Sequence, residues 1–275
     1  MMLSVNGPVI LAGAGKMGAA MLSGWLASGL DPKLVVIQDP APSGDAADLA
    51  TRYQLRTEPS LAQLDQPPAV IVVAVKPQVI DGVLSSLASL AGRDTVMLSI
   101  AAGKSLASFE RYLPAGAGVV RAMPNTPAGL GRGITGAIAN AHVTAAQKAL
   151  CHDLLTAVGE VVWLTDETLI DAVTAVSGSG PAYVFLLVET LAEAGRRLGL
   201  DAETAMRLAR ATVSGAGEML FQSDANAATL RHNVTSPGGT TAVALAVLMR
   251  EKDGLQTLIS DAVLAAHKRS RELGQ

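Results

Sequence analysis

The stretch PVILAGAGKMG (residues 8–18) constrains the fold more than any other part of this chain. An unbroken apolar run enters a glycine turn with the spacing G-x-G-x-x-G at Gly13, Gly15 and Gly18, and Met17, Met21, Leu22, Trp25 and Leu26 then recur at helical spacing. Strand, turn and helix in that order begin a βαβ unit. In the dinucleotide fingerprint the first glycine permits the tight turn, the second lets backbone reach a pyrophosphate, and the third lets helix approach strand. Gly13, Ala14, Gly15, Lys16, Met17 and Gly18 are therefore candidate cofactor-binding residues; a plain glycine-rich βα turn is the alternative.

Further apolar runs follow: LVVI (34–37), AVIVVAV (69–75), TVMLSIA (95–101), GVVRAMP (118–124), ITGAIA (134–139) and EVVWL (160–164). They are continuous rather than alternating, which suits strands of a parallel sheet covered on both faces. TAAQ (144–147) reads as a capping box before the helix that leads to the last strand. From Thr168 onward nearly every segment has helical spacing, broken at SGSGP (177–181), GLD (199–201), SPGG (236–239) and KDG (252–254). The expected architecture is an α/β Rossmann-type domain over 1–164 and an all-helical domain over 165–275. The helix from Pro181 to Leu198 is apolar over so much of its surface that a subunit interface is expected on it.

A chain of 275 residues accommodates two such cores. Its formal charge of −3, without a basic face, speaks against nucleic acid or an anionic membrane as partner. Cys151 is the single cysteine, which excludes an internal disulfide and any multi-cysteine zinc site; no metal is expected, and a reducing cytoplasm fits. The first residues lack the charged flank of a signal peptide, and no run is expected to reach the apolar length of a membrane span.

Asp39 stands at the end of the second strand, where an acidic side chain can hydrogen-bond an adenosine ribose; as the residue before Pro40 it can equally start a turn. Residues 38–44 contain no Arg or Lys to clamp a 2′-phosphate, which favours NADH over NADPH. AVKP (74–77) and SIAAG (99–103) end two strands of an open α/β sheet, so they border the ligand crevice. Lys76 there reaches phosphate or ribose, or is simply a solvated lysine. In SPGGTT (236–241) an apolar helix opens on neutral small residues. Two readings fit: a turn with an N-cap, or an anion site in which glycines give access to unpaired helix N–H groups. His232 reads as a surface or capping histidine.

Taken together, GAGKMG (13–18), AVKPQ (74–78), SIAAG (99–103), RAMPNTPA (121–128), SGSGPAYVF (177–185) and VTSPGGTT (234–241) resemble, in order and spacing, the pyrroline-5-carboxylate reductase family over essentially the whole chain. The resemblance implies a Rossmann domain followed by a helical dimerisation domain, and NADPH- or NADH-dependent reduction of a cyclic imine to L-proline. It implies a homodimer and, beyond it, a decamer of five dimers. It places Gly13 to Gly18, Lys76, Pro77, Ala101, Ala102 and Asn233 at the cofactor. It places Ser236, Gly239, Thr240 and Thr241 at the substrate, with Thr241 as the catalytic hydrogen-bonding residue. Members commonly use NADPH, from which Asp39 departs. A 3-hydroxyacid or 6-phosphogluconate-type dehydrogenase shares the two-domain plan, but resembles its relatives in using a lysine of the helical part, and no lysine lies between Lys148 and Lys252. A non-catalytic dinucleotide sensor would keep the glycine turn yet have no need of SGSGPAY with SPGGTT.

Overall fold

The structure, a computed structural model, describes residues 3–61 and 63–274, with Pro77 described by its backbone alone. One compact unit comprises residues 1–178 and 267–275, the other residues 179–266. The division falls later than the boundary expected near residue 165, and the end of the last helix belongs with the first unit.

The first unit carries β1 (Val9–Ala12), α1 (Lys16–Ala27), β2 (Val35–Gln38), α2 (Asp45–Tyr53), β3 (Arg56–Glu58) and β4 (Val70–Val73). It continues with α3 (Ile80–Leu87), β5 (Val96–Ser99), α4 (Leu106–Glu110), β6 (Gly118–Met123), β7 (Gly133–Ala139), α5 (Ala145–Thr156), β8 (Gly159–Trp163) and α6 (Leu169–Val173). The eight strands form one sheet in the order β3-β2-β1-β4-β5-β6-β7-β8. β1 lies between β2 and β4, parallel to both, with Val9 opposite Val35 and Val70.

Strand alternation sends Val9 and Leu11 into a core shared with α1 and α5, and Ile10 and Ala12 into one shared with α3. That is why β1 reads as an unbroken apolar run: both of its faces are covered. Met21, Leu22 and Trp25 of α1 are fully buried, each contributing about 1.5–3 kcal/mol of apolar burial. The Trp25 indole N–H donates to the Leu154 carbonyl at 2.8 Å, joining α1 to α5. Thr144 and Gln147 form the expected capping box at the start of α5.

Three sequence expectations need correction. The sheet is not wholly parallel, because β7 runs antiparallel to β6 before β8 resumes parallel pairing with β7. A short connection, residues 124–132, joins β6 to β7, too short for the crossover helix that parallel strands require. The edge strand β3 escaped notice because it is three mostly polar residues, RTE. A proline suits a first helical position, so the sequence starts the helix after Val75 at Pro77; the structure instead opens a 3-10 turn there, and α3 proper begins at Ile80.

The second unit holds α7 (Gly180–Arg197), α8 (Ala202–Gln222), α9 (Ala227–Asn233), α10 (Thr240–Leu248) and the larger part of α11 (Leu255–Leu273). Its buried cluster among the described residues consists of Ala192, Ala205 and Ala209, where α7 meets α8. Val184, Phe185, Leu186, Leu187 and Leu191 of α7 are exposed. Three alanines are a small core for a unit of this size, so the apolar face of α7 requires another cover. The helical stretch Leu169–Arg197 is long and apolar enough, with a mean hydropathy of 1.3, to cross a membrane. SGSGP interrupts that stretch as expected: a π turn covers Thr174–Gly178, the chain bends at Ser179, and α7 starts anew at Gly180.

Candidate active site

Gly13 adopts φ +91°, a conformation that strains any L side chain, and a Cβ there would lie 2.9 Å from the Ala74 backbone. A Cβ on Gly18 would collide with the Gly13 carbonyl. Gly15 differs: a Cβ there would meet nothing within 4 Å. It is the N-cap of α1, and no side chain caps that twelve-residue helix. Turn, close packing and open approach thus fall to the first, third and second glycines. These features fit an anionic pyrophosphate, which the positive helix end and glycine access favour.

Asp39 ties this turn to β2. Its Oδ2 accepts from the Ala14 amide at 2.7 Å, and its Oδ1 accepts from the Ala41 amide at 2.9 Å. It is therefore a turn starter and a strut of the glycine loop at once. Around it Arg56 pairs with Glu58 at 3.2 Å on the exposed edge strand. Lys16 and Met17 border a cleft of about 390 Å³ between α1, α2 and the turn at Thr126–Gly129.

Lys76 is exposed after β4, while the side chain of Pro77 lies outside the described residues. Ala101 is buried and Ala102 exposed at the end of β5, and Gly103 turns the chain with φ +77°. What holds this loop was not foreseen. Glu167 Oε1 accepts from the Leu106 amide at 2.8 Å, just beyond the loop, and from Arg121 Nη1 at 2.8 Å. The pair is largely buried, with side-chain exposures of 10% for Arg121 and 29% for Glu167. A lone arginine inside GVVRAMP was the signal that an acidic partner must exist; its location 46 residues away was not legible. Asn125 of the MPNTP segment accepts from the Ile134 amide at 2.9 Å, closing the β6–β7 connection.

In the second unit Asn233 ends α9 and is exposed, as is His232, whose carbonyl accepts from the Thr235 amide at 2.9 Å. The chain then turns tightly, the Gly239 amide donating to the Ser236 carbonyl at 3.0 Å, with Gly238 at φ +69°. Gly239 is the N-cap of α10, and no side chain caps that helix. Ser236 and Thr240 are exposed and Thr241 half-buried; none of their hydroxyls has a partner among the described residues. The turn reading of SPGGTT holds, whereas capping by its hydroxyls does not. The structure gathers Ser236, Gly239, Thr240 and Thr241 around one open helix start, and the glycine turn with Asp39 around another.

Residues 167–273 match the family described as pyrroline-5-carboxylate reductase dimerisation, and residues 9–103 match that described as NADP oxidoreductase coenzyme F420-dependent. The chain is 42% identical over 267 residues to the pyrroline-5-carboxylate reductase of Pseudomonas aeruginosa, covering 97% of each chain. It is 43% identical to that of Synechocystis, covering 96% of this chain and 97% of the relative. Among solved structures, a pyrroline-5-carboxylate reductase from Coxiella burnetii superposes with a TM-score of 0.90 at 36% identity, over 98% of this chain and 100% of the other. The Plasmodium falciparum pyrroline carboxylate reductase with NADP bound does so with a TM-score of 0.81 at 30% identity, over the full length of both. With relatives this similar along nearly its whole length, the chain belongs to the pyrroline-5-carboxylate reductase family.

Proposed function

We propose that this chain reduces the C=N bond of 1-pyrroline-5-carboxylate to L-proline with NAD(P)H, the last step of proline biosynthesis, and that two helix starts divide the work. The region 1–164 binds the dinucleotide, through Gly13 to Gly18, Asp39, Lys76, Pro77, Ala101 and Ala102. The region 165–275 binds the imine through SPGGTT, contributes Asn233 to the cofactor, and forms the dimer. The observation that carries this reading is the uncapped start of α10, with Gly238 and Gly239 leading into it and no Arg or Lys from residue 232 to residue 249.

The bound cofactor supplies a hydride. Everything else falls to the chain. The N–H groups at the start of α10, with Ser236 Oγ, hold the substrate carboxylate without a cation. Neutral donors suit this substrate, since a protonated imine is itself cationic and an adjacent Arg or Lys would repel it. Thr241 Oγ1, without a partner among the described residues, hydrogen-bonds the ring nitrogen as it becomes an amine. A threonine hydroxyl is too weak an acid to supply the proton alone, so water or prior protonation of the imine provides it. Much of the rate enhancement is positioning: the donor and acceptor carbons must be held about 3–3.5 Å apart.

The exposed face of α7 within the region matched to the dimerisation family supports an isologous dimer. A decamer of five such dimers, a cytoplasmic location and the absence of nucleic-acid and membrane partners complete the reading; the family resemblance supports the first, the single buried cysteine the second and the formal charge of −3 the third. The test is direct. Purified protein incubated with pyrroline-5-carboxylate and NADPH or NADH should consume the cofactor's 340 nm absorbance (about one equivalent per proline formed); no proline from either cofactor would overturn the function.

A further inference from the structure

Gln38 closes β2, immediately before Asp39. The residue is 8% exposed, and its Oε1 is the only buried side-chain oxygen or nitrogen among the described residues without a hydrogen-bond partner. An amide carbonyl kept dry and unpaired costs stability, and folds retain such a group where something outside the chain satisfies it. Strand alternation puts Gln38 on the face of Ala12 and Val36, beside Arg56 and Glu58 of β3, which spend themselves on one another at 3.2 Å. The next residue, Asp39, spends its oxygens on the Ala14 and Ala41 amides. Gln38 Oε1 is thus the acceptor left over at the carboxyl end of β2. In an open parallel sheet that end borders the ligand crevice, at the adenosine half of a bound dinucleotide.

We propose that Gln38 is a cofactor-recognition residue whose Oε1 accepts one hydrogen bond from the adenosine half of the dinucleotide. The proposal rests on the reading of the glycine turn as the dinucleotide site. Adenosine offers two kinds of donor, the exocyclic amine of the base and the ribose hydroxyls. A 2′-phosphate removes one hydroxyl donor and offers only acceptors, so NADPH lacks what NADH can present at that position. An ordered water between Gln38 Oε1 and the neighbouring Arg56–Glu58 pair is the competing explanation, and the melting temperature separates the two, since losing a structural water's partner lowers it.

The experiment replaces Gln38 by Met and, separately, by Leu, and measures the melting temperature of the cofactor-free protein together with fluorescence titration by NADH. The expected result has opposite signs: melting temperature unchanged or higher, because an unpaired acceptor is gone, and a dissociation constant raised about tenfold. A lower melting temperature with unchanged affinity would assign Gln38 to the fold or to a structural water and overturn the proposal, as would two variants that fail to fold. Gly15→Val separates this from the underlying reading. If Gly15→Val binds NADH like the wild type, the dinucleotide site itself is misplaced; if it loses NADH while Gln38→Met keeps it, the Gln38 proposal alone fails. Two further titrants identify the donor. Loss of the Gln38→Met effect with reduced nicotinamide hypoxanthine dinucleotide assigns the base amine, loss with NADPH assigns the 2′-hydroxyl, and persistence with both assigns the 3′-hydroxyl.

Discussion

Asp39 Oδ2 accepts the Ala14 amide at 2.7 Å across 25 residues of sequence, so the carboxylate at the end of β2 braces the glycine turn that is proposed to receive the pyrophosphate. Charge and support are therefore vested in one side chain, and substitution can separate them. Asp39→Asn keeps an acceptor oxygen for a backbone amide but removes the charge that repels a 2′-phosphate. The ratio of kcat/KM for NADPH over NADH should rise in Asp39→Asn; an unchanged ratio would leave Asp39 as a strut only. Asp39→Ala should cost about 1.5–3 kcal/mol, the worth of a hydrogen bond to a charged group, and weaken both cofactors alike.

The glycines of the turn should divide by kind of damage. Gly15→Val places its side chain in open space, so the fold should persist within about 0.5 kcal/mol while dinucleotide binding is lost. Gly13→Ala meets the Ala74 backbone at 2.9 Å with φ +91°, and should lower stability by more than about 1 kcal/mol. Chemical denaturation and cofactor titration on both variants check this.

Thr241 is expected to matter for turnover and little for the fold, since its hydroxyl bonds nothing among the described residues and caps no helix. Thr241→Val keeps the branched shape and deletes the oxygen. Losing one preorganised hydrogen bond should cost about 2–4 kcal/mol in the transition state, roughly 10²-fold or more in kcat/KM for the imine, with cofactor affinity and melting temperature nearly unchanged. Near-normal kcat/KM would reassign the ring nitrogen's partner to water.

Phe185 is 63% exposed in the single chain, on the apolar face of α7. Buried in an isologous interface, a glutamate in its place would leave an unpaired charge in each half. Sedimentation of Phe185→Glu should show dissociation toward monomer and activity should fall with it; a fully active monomeric wild type would contradict the interface.

Burial pushes the Cys151 thiol up to about 12 from its usual value near 9. The folded protein should therefore resist iodoacetamide at pH 8, reacting only when unfolded. Because the folded state holds this proton more tightly than the unfolded one, the contribution to stability is complete below about pH 9 and declines as pH rises toward 12. In Cys151→Ala that part of the decline should vanish, as denaturation at pH 8 and pH 10 would reveal.

The sequence by itself determined the strand–turn–helix at Gly13 to Gly18, seven of the eight strands, the capping box at Thr144 and the helical character of everything after Thr168. These are local matters: side-chain period, turn stereochemistry and cap chemistry act over a few residues and leave their mark in composition and spacing. The motifs of the family, too, lie in short contiguous runs. Tertiary structure alone decided that β7 turns back against β6, that Glu167 meets the arginine of β6, that Asp39 braces Ala14, and that Gln38 Oε1 is left without a partner among the described residues. It also decided that the SPGGTT hydroxyls leave the start of α10 uncapped, although their composition suits a cap equally well. Each of these depends on which groups remain unpaired once distant segments have packed. Hydrogen-bond satisfaction is a property of the whole fold, because a donor or acceptor finds its partner in space, without regard to separation along the chain.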